Sequence, residues 1–216
     1  MPDTLPGPHQ GQPILQTGKP LAEAKAAMIL IHGRGATAGS ILELSTVLPH
    51  PDMAYLAPHA SGNTWYPYSF LAPVAQNEPG LSSGLQVVAD LIAQVEAAGI
   101  PSEKIILGGF SQGACLASEF VARNAKRYGG VIVFSGGLIG PPGTPRDYPD
   151  SLDGTPIFIG CSNADFHIPL ERVHETTDVF TRLRGRVTKK IYAGMGHTVI
   201  KDEIDHAFKI VQEVVV

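Results

Sequence analysis

The chain has 216 residues, 44% hydrophobic and 17% charged, which suits one globular domain with a substantial core and excludes a long disordered chain. A formal charge of -4 with no run of Lys or Arg predicts no nucleic-acid partner and no attraction to anionic membrane. The N-terminus MPDTLPGPHQGQP lacks the basic and apolar regions of a secretory signal, and no apolar stretch approaches the ~18 residues that span a bilayer, so a cytoplasmic protein without stable membrane insertion is expected.

Residues 1–13 are rich in Pro and Gly and read as a flexible N-terminal arm ahead of a single domain over 14–216, which opens on a short edge strand at 14–16. The runs KAAMILIHGRG, MAYLAP (53–58), KIILGGF (104–110), GVIVFSGG (130–137), PIFIGC (156–161) and TKKIYAG (188–194) have the apolar character of strands buried on both faces. Helices are expected between them at 81–98, 112–124, 169–183 and 198–214. In the first, Leu85, Val88, Leu91, Ile92 and Val95 fall on one face, and Gly99 with Pro101 ends it. Strands alternating with helices predict an α/β fold with a mostly parallel sheet covered on both faces. The loops 58–80 and 136–155 are too short for a cap domain and should wall an open cleft. Cys115 and Cys161 are too few for a disulfide framework and lack metal-type spacing; both read as buried apolar groups, and no metal is expected.

Strand 104–110 runs directly into Gly109-Phe110-Ser111-Gln112-Gly113, and a helical pattern follows at once. A G-x-S-x-G alone is a weak signal. In a strand–turn–helix setting it is the tight elbow that thrusts a serine out at the C-terminal edge of a sheet, in front of helix N–H groups. The plainer reading is a helix N-cap, but a cap needs no flanking glycines. Ser111 is therefore the candidate nucleophile, and it needs a base. Of eight histidines, His197 in YAGMGHTVI follows the last strand and reaches the same sheet edge. The order Ser, acid, His expected of α/β-hydrolases requires a carboxylate between them at a strand end. Asp165 in PIFIGCSNADFHIPL meets that requirement; Asp147, Asp150, Asp153, Glu171, Glu175 and Asp178 do not. Activity is expected to fall in acid, because an imidazolium cannot act as base.

The oxyanion of an acyl-transfer intermediate needs preset donors. The backbone N–H of Gln112 is one candidate, and that of Arg34, in the IHGRGAT loop, is the other; Gly33 lets that backbone approach a substrate. His32 reads as a packed histidine bracing this loop. The Arg34 side chain is either solvated or biases the cleft toward anionic groups.

Together LIHGRG, GIPSEKIILGGFSQGACLA, GVIVFSGGL, HIPL after Asp165 and YAGMGH resemble the carboxylesterase/phospholipase family that includes acyl-protein thioesterases and small bacterial carboxylesterases. The resemblance implies an α/β-hydrolase fold without a large lid, no cofactor, and hydrolysis of short- to medium-chain esters. It puts Ser111, Asp165 and His197 on the family's triad, Arg34 and Gln112 on its oxyanion positions, and Trp65 on the wall of its acyl cleft. Arg34 stands where the acyl-protein thioesterases have an apolar residue, Asn163 and Phe166 replace the usual Asp and Pro around the acid, and the aromatic loop SGNTWYPYSFLAP looks more like the bacterial branch. The leading expectation is a serine carboxylesterase acting on a small-molecule ester. A lysophospholipase or acyl-(protein) thioesterase is the alternative, and a non-catalytic binding protein on a hydrolase fold is the third reading. A dienelactone hydrolase, with a Cys at the elbow, fits less well. A homodimer is left open.

Overall fold

Apolar strands and amphipathic helices alternate along the chain because each strand must be covered on both faces once it enters a parallel sheet. A computed structural model describes residues 7–214. In chain order the elements are β1 (Ile14–Gly18), β2 (Ala26–Ile31), α1 (Ala38–Leu42), α2 (Leu44–Val47), β3 (Met53–Pro58), α3 (Gly80–Ala97), β4 (Ile105–Phe110), α4 (Gln112–Arg123), β5 (Gly130–Phe134), β6 (Pro156–Ser162), α5 (Leu170–Arg182), β7 (Arg186–Tyr192) and α6 (Lys201–Val214). The strands form one sheet in the order β1-β3-β2-β4-β5-β6-β7. Only β1 is antiparallel, against β3; the other pairings are parallel.

Strand alternation sends two sets of side chains to opposite faces. Ile29, Ile31, Leu107, Val131, Val133 and Ile159 pack with α3, α4 and α5 residues such as Leu91, Leu116 and Phe180. Met28, Leu30, Ile106, Ile132 and Phe158 pack with Ile41 of α1 and with Ala207, Ile210 and Val211 of α6. Each such Leu, Ile or Phe contributes about 1.5–3 kcal/mol relative to exposure, so the sheet is a rigid base for whatever its rim carries. β1 is exposed along its length and β7 alternates between exposed and half-buried, as edge strands do. Among the described residues no helix is long and apolar enough to cross a membrane.

The N-terminal segment departs from the expected arm. Residues 1–6 lie outside the described residues, but His9 is buried and tied in place. Its ring Nε2 lies 2.9 Å from the Trp65 carbonyl, its Nδ1 accepts from the Ser61 N–H at 3.1 Å, and its own N–H donates to Ser83 Oγ at 2.9 Å. Composition suggests looseness; three long-range hydrogen bonds, two to the buried ring and one from its backbone N–H, outweigh it.

Candidate active site

Parallel strands bring their C-terminal ends to one rim, and the register aligns those ends. Phe110 of β4 sits opposite Phe134 of β5, which sits opposite Gly160 of β6, and Ser162 of β6 opposes Tyr192 of β7. The residues just past β4, β6 and β7 are thereby neighbours, although 86 positions separate Ser111 from His197. Ser111 stands at the N-cap of α4 with φ 55 and ψ -121, a backbone state that costs a non-glycine residue of order 1–3 kcal/mol. Its side chain makes no cap hydrogen bond. The strained turn points the hydroxyl away from the helix and over the rim.

There Ser111 Oγ lies 2.8 Å from His197 Nε2, and His197 Nδ1 lies 2.7 Å from Asp165 Oδ2. The Asp165 side chain is fully buried while that of His197 keeps 22% of its surface exposed. Asp165 Oδ1 accepts from the His167 and Ile168 N–H groups at 2.8 and 3.1 Å, which fixes the carboxylate plane. Burial pushes the Asp165 carboxyl up, but its hydrogen bonds from His197, His167 and Ile168 and the nearby imidazole outweigh that, and the group sits below the ordinary carboxylate range. An ionised Asp165 accepts a hydrogen bond from the Nδ1–H of a neutral imidazole, so Nε2 is left as an acceptor facing the serine hydroxyl. The Phe110 and His167 rings, each 4.8 Å from the His197 ring, hold it from two sides.

Ser111 opens into a cleft of about 590 Å³ lined also by Gly33, Arg34, Tyr66–Phe70, Gln112, Cys115, His167 and Ile168. A Cβ on Gly33 would stand 3.4 Å from the Ser111 Cβ and 3.3 Å from the Phe110 carbonyl, so the loop after β2 runs against the elbow. The first N–H of a helix has no intrahelical partner. Among the described residues neither the Gln112 nor the Arg34 N–H has a protein acceptor. Two unpaired backbone donors thus flank the serine, the arrangement an oxyanion requires.

A strained serine at a strand–helix elbow, paired with histidine and a buried aspartate at one sheet rim, can be compared with known proteins. The profile of the phospholipase/carboxylesterase family matches residues 13–215. The chain belongs to the phospholipase/carboxylesterase family. Its fold is the α/β-hydrolase fold. A phospholipase/carboxylesterase from Dyadobacter fermentans is 44% identical, with a TM-score of 0.90 over 94% of this chain and 97% of that one. Acyl-protein thioesterase 1 of Debaryomyces hansenii is 27% identical over 93% of this chain and 95% of its own. The Bacillus cereus carboxylesterase, at 16% identity and a TM-score of 0.77 over 95% of both chains, shares the fold.

Within this family member the expectation for Trp65 needs correction. Trp65 is fully buried and lines no part of the cleft. Its indole N–H donates to the His32 carbonyl at 2.9 Å, and its backbone N–H to Gln112 Oε1 at 2.9 Å. Gly84 leaves the indole its space: a Cβ there would stand 3.2 Å from Trp65 Cε3. The next residues, Tyr66 to Phe70, form the wall instead. The aromatic run in SGNTWYPYSF signals such a wall, but not which of its rings turns inward. Gly33 does line the cleft. Cys115 is at the cleft base, but burial pushes its thiol up to about 12, so it is no thiolate nucleophile near neutral pH.

His32 braces the loop after β2. Its Nδ1 lies 2.8 Å from the Gly33 carbonyl, and its Nε2 accepts from the Ala60 N–H at 3.1 Å. Burial lowers both His9 and His32 below the ordinary value of 6.5, outweighing the Trp65 and Gly33 carbonyls that favour the charged ring, and each ring nitrogen that accepts a backbone N–H needs the neutral form to do so. A histidine depressed in the folded state contributes stability that is complete above the unfolded value and is lost as pH falls through the folded one. Glu203, pushed up by burial to about 7, works in the opposite sense: its contribution is lost as pH rises from about 4.5 to 7. The urea midpoint of His9→Gln is therefore expected to fall less than that of the natural protein between pH 6.5 and 5. Equal slopes would mean that His9 is not held neutral.

Proposed function

We propose that the protein is a serine carboxylesterase that cleaves short- to medium-chain carboxylic esters through an acyl-enzyme. The observation that carries this reading is the side chain of Ser111, which caps nothing and instead meets His197 Nε2 at 2.8 Å, with Asp165 2.7 Å behind. His197 takes the hydroxyl proton as Ser111 Oγ attacks the ester carbonyl carbon. The carbonyl oxygen becomes an oxyanion held by the N–H groups of Arg34 and Gln112; losing one such donor typically costs about 2.7–4 kcal/mol. Collapse of the intermediate breaks the ester C–O bond, and His197 returns its proton to the leaving alcohol. A water, deprotonated by the same His197, then releases the acid and restores Ser111.

The 44% identity to a bacterial phospholipase/carboxylesterase supports the ester reading. The acyl-protein thioesterase relatives, at 26% to 29% identity, keep thioesters as the second reading. A panel of p-nitrophenyl esters from acetate to palmitate, run beside acyl thioesters, tests both. Turnover highest on acetate to octanoate is expected, and it should fall in acid, because an imidazolium cannot accept the serine proton. Silence on every ester, with no labelling of Ser111 by a fluorophosphonate, would overturn the reading. A preference for long thioesters would move it to the second.

A further inference from the structure

The two cleft-lining residues whose backbone N–H groups are left unpaired among the described residues, Arg34 and Gln112, have side chains that reach the same segment. The Arg34 guanidinium donates to three successive carbonyls: Tyr66 at 2.8 Å, Pro67 at 2.9 Å and Tyr68 at 2.7 Å. It also lies 5.9 Å from the centre of the Tyr66 ring. The buried Gln112 amide donates to the same Tyr66 carbonyl at 2.8 Å and accepts from the Trp65 N–H at 2.9 Å. No carboxylate among the described residues pairs with Arg34. Three carbonyls converging on one planar fork is a task for which Arg suits and Lys does not.

We infer that the Arg34 side chain is a positioning residue that sets acyl-chain selectivity by clamping the Tyr66–Phe70 wall to the oxyanion donors. The leaving alcohol takes its proton from His197, so it lies on the side of the cleft lined by His197, His167 and Ile168. The acyl chain is left the other wall, Tyr66–Phe70. Because Arg34 and Gln112 hold that wall and also supply the N–H groups, an acyl chain that pushes the wall displaces the donors. Misfit then appears in the chemical step rather than in binding, since donors act where the oxyanion forms. The solvated and anion-seeking readings of this side chain both give way to a structural one: three of its five N–H groups are already engaged.

The inference rests on the esterase reading, and its test separates the two. Arg34→Met and Arg34→Lys would be compared with the natural protein on p-nitrophenyl acetate, butyrate, octanoate and hemisuccinate. Amide hydrogen exchange over 64–70 and the melting temperature would be read in parallel. Arg34 is solvent-exposed, so both variants are expected to melt near the natural protein. Arg34→Met should lose kcat on butyrate by roughly 10- to 100-fold, the scale of a small misplacement of reacting groups, with KM little changed. Its preference among acyl lengths should flatten, and exchange over 64–70 should quicken. Lysine should fail to restore either, while added ethylguanidinium should partly restore kcat in Arg34→Ala. Unchanged exchange over 64–70, an unchanged acyl profile, or full function with Lys would overturn the clamp. So would a loss confined to the anionic hemisuccinate, which would make Arg34 an anion seat. A natural protein silent on all four esters would defeat the esterase reading, while the exchange result would still report on the clamp.

Discussion

Replacing Ser111 with alanine is expected to lower kcat on p-nitrophenyl butyrate on the order of a millionfold, the scale seen when a triad nucleophile is removed. That corresponds to about 8 kcal/mol of barrier. The unpaired N–H groups of Arg34 and Gln112, proposed as oxyanion donors, and the cleft stay in place, so what survives should be a residual hydrolysis above the background in water. Stability should hardly move. The hydroxyl makes one hydrogen bond, to a partly exposed imidazole, worth about 1 kcal/mol net. It caps no helix, and alanine meets the same backbone strain at φ 55. Adding His197→Ala to the alanine variant should cost little more, because the two groups act as one unit. Purified variants assayed beside a melting curve decide the matter. A Ser111→Ala protein within tenfold of the natural rate would take Ser111 out of the chemistry.

The five inner strands were legible because a strand buried on both faces leaves no polar position to blur it: AAMILI and MAYLAP are buried at every residue, whereas the run at 188–194, expected to be buried in the same way, belongs to the edge strand β7, which is exposed or half-buried throughout. The four long helices were legible from their apolar face, and their observed ends lie within three residues of the expected ones. α1 and α2, of five and four residues, escaped because one turn carries too little periodicity to register. Ser111, Asp165 and His197 could be placed for a simple reason. In a parallel sheet, being just past a strand end is a statement about space, and chain position supplies it.

What the sequence concealed was the direction of side chains in irregular segments. Trp65 and Tyr66 are adjacent, aromatic and both buried, yet Trp65 is locked under the loop by His32 and Gln112 while Tyr66 lines the cleft. His9 reads as a residue of a polar arm, but its partners lie 52 to 74 positions away. The Arg34 side chain reads as either solvated or anion-seeking until three carbonyls 32 to 34 positions away are seen to converge on it. Such contacts depend on loop closure, which no local pattern encodes.

Gly113→Ala is expected to be the most damaging single methyl near the site. Helix propensity alone predicts the reverse, since Ala is favoured over Gly by about 1 kcal/mol in a helix interior. But the new Cβ would overlap the Ile31 carbonyl oxygen and lie 2.5 Å from its carbon and 2.6 Å from the His32 carbonyl oxygen. These are backbone atoms of β2 and its exit, with no rotamer to escape into. Gly109 meets α4 in the same way, its added Cβ 2.6 Å from the Gly113 carbonyl carbon, so the glycines either side of Ser111 let strand and helix backbones touch. Relief requires α4 to retreat from β2 by about 1 Å to reach ordinary carbon contact distances. The retreat carries the Gln112 N–H away from the loop that holds Arg34. Overpacking of this kind costs about 3 kcal/mol or more of stability, and a displacement of about 1 Å costs roughly 100-fold in kcat. Gly99→Ala is the control: its φ of 93 is strained for alanine, but nothing stands within 4 Å of the added Cβ and it lies beyond the far end of α3. It should lose about 1–2 kcal/mol and keep its kcat. Urea midpoints and butyrate turnover of the two variants separate packing at the elbow from the general strain of replacing a glycine. Natural kcat in Gly113→Ala would mean that the helix and the oxyanion loop can part without disturbing the chemistry.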